Sequence, residues 1–152
     1  MIQRQAIVDP DRYRPWVYAA DLEEAVRNGD GEGGATAPGY HGNCWAFVAL
    51  VLQDTGVIPP VEGCWSWAAF LAAGAARATI LAPYSPAWSG DVVVYEDAEG
   101  NRHAGVALGA FEFLHVKEGG LAVMRIGAVR RAALKLTIYR PWRLASGGAA
   151  CG

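Results

Sequence analysis

Apolar and polar residues follow two different rhythms along this chain, and the change falls near Pro83. Upstream, apolar residues gather in runs with helical spacing. Downstream they recur in short β-branched stretches bounded by turn residues. The longest apolar run, Cys44 to Leu52, predicts a helix from about Cys44 to Thr55, with Asn43 as its N-cap and Gly56 as its stop. Trp65 to Ala76, rich in alanine with aromatic and aliphatic residues at helical spacing, predicts a second helix packed on the first. A shorter helix is expected over Asp21–Arg27, with Asp21 as cap and Gly29 as stop. Before it, Asp9-Pro10-Asp11 and Arg14-Pro15-Trp16 read as an extended arm held by aromatic contacts. After Pro83, strands are expected at Val92–Tyr95, Arg102–Leu108, Phe111–Val116, Leu121–Ile126 and Leu134–Tyr139, with Glu96–Asn101 as a polar hairpin connection.

Helices first and strands afterwards make an α+β arrangement, with N-terminal helices packed on a five- to six-stranded antiparallel sheet. Residues 1–39 form the arm, short helix and a glycine-rich loop, with five glycines between Gly29 and Gly39. Residues 40–145 form the main domain, and 146–152 a small-residue tail carrying Cys151.

Composition narrows the function. A chain of 152 residues that is 53% hydrophobic holds enough apolar material for one core and no second domain. A net charge of -2 and a pI near 5.9 give no basic surplus, so nucleic acid is not an expected partner. The run from Cys44 to Leu52 is about half of a membrane span, and residues 1–5 carry no apolar leader, so a soluble chain is expected. Three cysteines without close paired spacing argue against a disulfide framework and against a ribbon-type zinc site.

The candidate chemistry centres on Cys44. A thiol in the first turn of a helix sits in the positive field of the aligned peptide dipoles, which favours the nucleophilic thiolate. The competing reading is a small buried hydrophobe. Cys64, also near a helix start, is a rival nucleophile without a good cap, flanked by Trp65, Trp67 and Phe70. Of the three histidines, His103 and His115 fall on adjacent strands. A three-residue connection Leu108-Gly109-Ala110, with Ala107 opposite Phe111, sets His103 directly opposite His115, with Cβ atoms roughly 5 Å apart on one face. Small Gly105 and Ala107 on that face leave room for a helix start or a substrate. The set then reads as nucleophile, base and orienter: Cys44, His103 and His115. Two alternatives stand beside it, ordinary half-buried strand histidines and a metal site drawing on Cys44, His103, His115 and Cys64. His41 lies three residues before Cys44 and receives no firm role.

Taken together, the Cys44-Trp45 helix start, Gly90-Asp91-Val92-Val93-Val94-Tyr95, His103-Ala104-Gly105-Val106-Ala107-Leu108-Gly109, Phe113-Leu114-His115 and Tyr139-Arg140-Pro141 resemble the NlpC superfamily of papain-like cysteine peptidases. The likeness is nearest to the branch found in tailed-phage tail-assembly and tail-tip proteins, and it covers roughly residues 40–142. It implies a papain-like fold, catalytic Cys44, His103 and His115, and no organic cofactor or metal. The backbone N–H of Cys44 would form the oxyanion site, with Asn43 and Tyr40 as positioning residues. It also implies cleavage of peptidoglycan stem peptides through a thioester, in a chain made in the host cytoplasm, carried on the virion tail and acting at the bacterial cell wall. Other tail-tip or hub proteins would be its partners. The alternative is a structural tail-tip component whose peptidase site is dormant or lost. Asn43 stands where the family commonly has aspartate, and Trp45-Ala46 where many members have serine-glycine. Five of the six tryptophans, Trp16, Trp45, Trp65, Trp67 and Trp88, lie on the N-terminal side, more than this core requires, which suits a partner surface.

Overall fold

A computed structural model describes residues 7–18, 41–42, 44–57, 78–117, 120–132 and 135–141. The predicted helices over 21–27 and 65–76, the glycine-rich loop, Tyr40, Asn43, Cys64 and the tail with Cys151 lie outside them.

The chain enters the described structure through a 3-10 turn, Pro10–Tyr13, capped by the Asp9 carboxylate, which accepts from the Asp11 amide. Strand β1 (Val17–Tyr18) pairs in parallel with β2 (His41–Gly42), which leads to helix α1 (Cys44–Asp54). Strands β3 (Ala78–Ile80), β4 (Val92–Glu96), β5 (Arg102–Ala107), β6 (Glu112–Lys117) and β7 (Gly120–Arg125) follow, then helix α2 (Ile126–Ala132) and β8 (Lys135–Pro141). Six of these strands form one antiparallel sheet in the order β3-β8-β4-β5-β6-β7. The molecule is thus α+β, with its last strand inserted between two earlier ones. Among the described residues no helix is long and apolar enough to cross a membrane.

The five expected strands are present, each within two residues of its expected ends. Four elements are additional, the short parallel pair β1 and β2 with β3 and α2. β3 falls just beyond the stretch read as a helix, and α2 holds only Ile126 and Val129 as buried residues, too short a pattern to show helical periodicity. The expected arm is held by aromatic contacts, Tyr13 and Trp16 on Phe47, but its described part is not extended throughout, because Pro10–Tyr13 is a 3-10 turn.

Helix α1 is apolar on every side because it is covered on more than one. Phe47, Val48, Val51 and Leu52 are buried against Val92, Ala104, Val106, Leu114 and Val116 of the sheet. From the N-terminal turn, Tyr13 and Trp16 meet the Phe47 ring edge-on at 5.4 and 5.3 Å. Tyr13 donates its hydroxyl proton to Asp54 at 2.9 Å, tying the turn to the far end of α1. Gly56 stops the helix as expected. At φ 74 its amide reaches the Gln53 carbonyl and the Val57 amide reaches that of Leu52, which satisfies the last turn.

The opposite face of the sheet carries a second cluster of Ala87, Val93, Ala107, Phe113, Ile126, Val129 and Ile138. Strand alternation produces the division: Val92, Val94, Ala104 and Val106 face α1, whereas Val93, Tyr95 and Ala107 face away.

One ion pair closes the sheet. Arg140 on β8 donates through Nε to Asp91 Oδ1 at 3.1 Å and through Nη2 to Oδ2 at 2.9 Å, while its guanidinium lies 3.6 Å from the centre of the Trp88 ring. Asp91 also accepts from the Trp88 amide at 2.7 Å, so its buried carboxylate is well satisfied. Removing one member strands the other charge, and Asp91→Ala is expected to lower the unfolding free energy by about 3–5 kcal/mol in denaturant titration. The double variant Asp91→Ala/Arg140→Met recovers part of that loss, because it leaves no unpaired guanidinium.

Candidate functional site

The turn joining β4 to β5 builds one half of the candidate site. Gly100 adopts φ 82 there and donates to the Asp97 carbonyl, closing a tight loop. Asp97 Oδ1 accepts from the amides of Glu99 and Asn101, both at 2.9 Å. Its other oxygen is thereby aimed back at β5, where His103 Nε2 meets Oδ2 at 2.9 Å. That hydrogen bond is the main reason the Asp97 carboxyl lies below its ordinary pKa, with the loop amides adding to it. The carboxylate therefore fixes the imidazole from outside the sheet.

From the other side His103 rests on Tyr95. The two are cross-strand partners, and their rings stack at 5.1 Å with planes 24° apart. Burial raises the pKa of the Tyr95 hydroxyl, and the negative charges of Cys44 and Asp97 raise it further. Cys44, half-buried at the start of α1, packs against the cluster on the α1 side of the sheet, whereas His103 and Tyr95 stand on the other face.

Tyr95 is held by Phe113, whose ring meets it edge-on at 6.0 Å. Phe113 stands on β6, with β5 between them, and crosses β5 at Gly105. A Cβ on Gly105 would lie 2.6 Å from the Phe113 ring and would also strike the Leu114 carbonyl oxygen. The space expected to admit a helix start or a substrate is thus occupied by Phe113.

His115 has a different position from the expected one. The β5–β6 ladder pairs Val106 with Leu114 and Ala107 with Phe113, and Leu108 donates to the Glu112 carbonyl. The connection is three residues long, as anticipated, but it is Gly109-Ala110-Phe111, one position later. The slip preserves parity, so both imidazoles remain on one face, but His103 is no longer directly opposite His115. That face is turned away from α1, against the expectation that a helix start would approach it, because strand alternation gives the α1 side to Val92, Ala104 and Val106. Asp97, which the sequence reading treated only as part of a polar connection, orients His103. The available signal was alternation, since Asp97 follows Tyr95 by two residues and shares its face.

His115 is buried beside Phe113, ring centres 5.7 Å apart, and its Nε2 has no hydrogen-bond partner among the described residues. Burial pushes its pKa down to about 4, and the positive charges of Lys117 and His103 act in the same direction. It is a neutral imidazole over the physiological range. Of the remaining candidates, His41 pairs through its backbone with Val17, and Tyr40 and Asn43 lie outside the described residues. Among the described residues no three His, Cys, Asp or Glu side chains come together as a metal-binding set.

No protein-family model matches the chain, and none of the curated proteins does.

Two outcomes follow from this geometry. Gly105→Ala forces Phe113 aside and is expected to cost about 1–3 kcal/mol of stability, with a change in the near-ultraviolet dichroism of the Tyr95–Phe113 pair. His115 makes stability pH-dependent. Above pH 6.5 it is neutral folded or unfolded and stability is complete; as pH falls towards 4 only the unfolded chain gains the proton, so stability declines. The expected loss is up to about 3 kcal/mol between neutral pH and pH 4. Paired melts at pH 7 and 4.5 should show a smaller decline for His115→Met than for the parent chain.

Proposed function

We propose that the chain is a thiol hydrolase of the papain-like, NlpC type, with Cys44 as nucleophile, His103 as the proton carrier and Asp97 as the group that orients it. The observation carrying this reading is the Asp97–His103 pair, a carboxylate holding an imidazole at 2.9 Å whose ring is stacked on Tyr95. With Nε2 engaged by Asp97, Nδ1 of His103 is the nitrogen that exchanges a proton with the thiol. The thiolate attacks the carbonyl carbon of an amide, and the backbone N–H of Cys44 receives the developing oxyanion. The imidazolium then protonates the leaving amine as the C–N bond breaks, leaving a thioester that water hydrolyses. In this mechanism Asp97 takes the orienting part first given to His115, and His115 packs beneath the rings.

The resemblance over residues 40–142 supports peptidoglycan stem peptides as the substrate. It equally supports a phage tail tip as the setting, with action at the bacterial cell wall and neighbouring tail proteins as partners. A second reading has its own support, since the imidazoles occupy the sheet face turned away from the body of α1. That arrangement suits a structural tail component that keeps the scaffold and has a dormant site.

Muropeptides incubated with the purified chain separate the two. The hydrolase should release cleaved stems, lose all activity in Cys44→Ala and lose about a hundredfold in kcat/KM in Asp97→Ala. Iodoacetamide should label Cys44 well below the ordinary thiol pKa of about 8.5. Intact stems together with uniform labelling of all three cysteines would leave the structural reading in place.

A further inference from the structure

The face of the sheet away from α1 carries a furrow that the thiol site does not use. It runs between the loop preceding β4, the Gly109–Phe111 turn and helix α2. Its main hollow, about 760 Å³, is lined by Tyr84, Pro86, Phe111, Ile126, Arg125 and Arg131 among others. A neighbouring hollow of about 390 Å³ shares Tyr84, Arg130 and Ile138 with it and adds Ile80 and Lys135.

We infer that this furrow is a docking surface for an extended, acidic segment of a partner protein that carries apolar side chains between its carboxylates. Charge is the first argument. Arg125, Arg130, Arg131 and Lys135 line the two hollows, and Glu112, the cross-strand partner of Arg125, is the one acidic residue lining either of them among the described residues. This excess of positive charge sits in a chain whose net charge is -2. The overall field therefore does not gather polyanions, and the furrow's cluster of cations stands out against it.

The second argument is apolar exposure. Phe111 is 80% exposed, Tyr84 83% and Ile80 63%. Phe111 is not a loose tip, because its carbonyl accepts from the Ile126 amide at 2.8 Å and fixes the base of the ring's residue to α2. Tyr84 is presented at φ 65, a conformation that costs a non-glycine residue roughly 1–2 kcal/mol, with the Arg130 guanidinium 5.1 Å from its ring centre. Between the cations the walls are proline, alanine and isoleucine, which suit side chains of a peptide better than a phosphate backbone.

The test uses the full chain and fluorescence anisotropy with three labelled probes: a synthetic peptide alternating Asp and Leu and ending in Phe, the same peptide with Lys for Asp, and a single-stranded DNA oligonucleotide. The acidic peptide should bind saturably and the lysine peptide should not. Arg125→Gln/Arg131→Gln and, separately, Phe111→Ser should each raise its Kd about tenfold. All three positions are exposed, so unfolding midpoints matching the parent's are expected of these variants. Equal binding of both peptides, affinity unchanged in the variants, absence of saturable binding, or tighter binding of DNA than of the acidic peptide would each overturn the assignment.

Discussion

A missing Cβ governs the candidate site. Because Gly105 has no side chain, the Phe113 ring can cross β5 and meet Tyr95, and Tyr95 in turn gives His103 a flat support. Each contact is a modest aromatic interaction worth about 1 kcal/mol beyond its buried area. Their effect on geometry is larger, since a ring stacked on one side and hydrogen-bonded at Nε2 has little freedom left. Asp97 completes the restraint, with one oxygen holding its own turn and the other holding the imidazole.

The same row of rings separates two histidines of similar appearance. His103, at the start of β5, is partly open and paired with a carboxylate, whereas His115 sits deeper with no partner for Nε2 among the described residues. Desolvation makes the second a neutral filler, and the nearby positive charges reinforce that state. A shift of one position in a three-residue turn produced this difference, by replacing direct opposition with a displaced arrangement on the same face.

The two faces of the sheet carry different duties. One packs on α1 and holds the principal core; the other holds the aromatic row at one end and the arginine-lined furrow at the other. The Asp91–Arg140 pair anchors the inserted β8 to β4, and β8 supplies Ile138 to the second cluster and Lys135 to the furrow. Cys44 packs on the helix side, so the sheet stands between its cluster and the aromatic row.

Local signals sufficed for much of the fold. The Cys44 helix, its stop at Gly56 and the five downstream strands follow from apolar spacing and turn residues, because backbone conformation there is settled within a few neighbours. Parity along β5 and β6 was also readable, which is why both histidines were expected on one face. Long-range choices lay beyond the sequence: the insertion of β8 between β3 and β4, the burial of Tyr13 and Trp16 against Phe47, and the Phe113 ring over Gly105. So did the choice of Asp97 over His115 as the partner of His103. Sequence determined which groups were available and on which side of a strand they stood; tertiary packing decided which of them touch, because a two-residue shift of pairing changes every cross-strand partner while leaving each side chain on its own face.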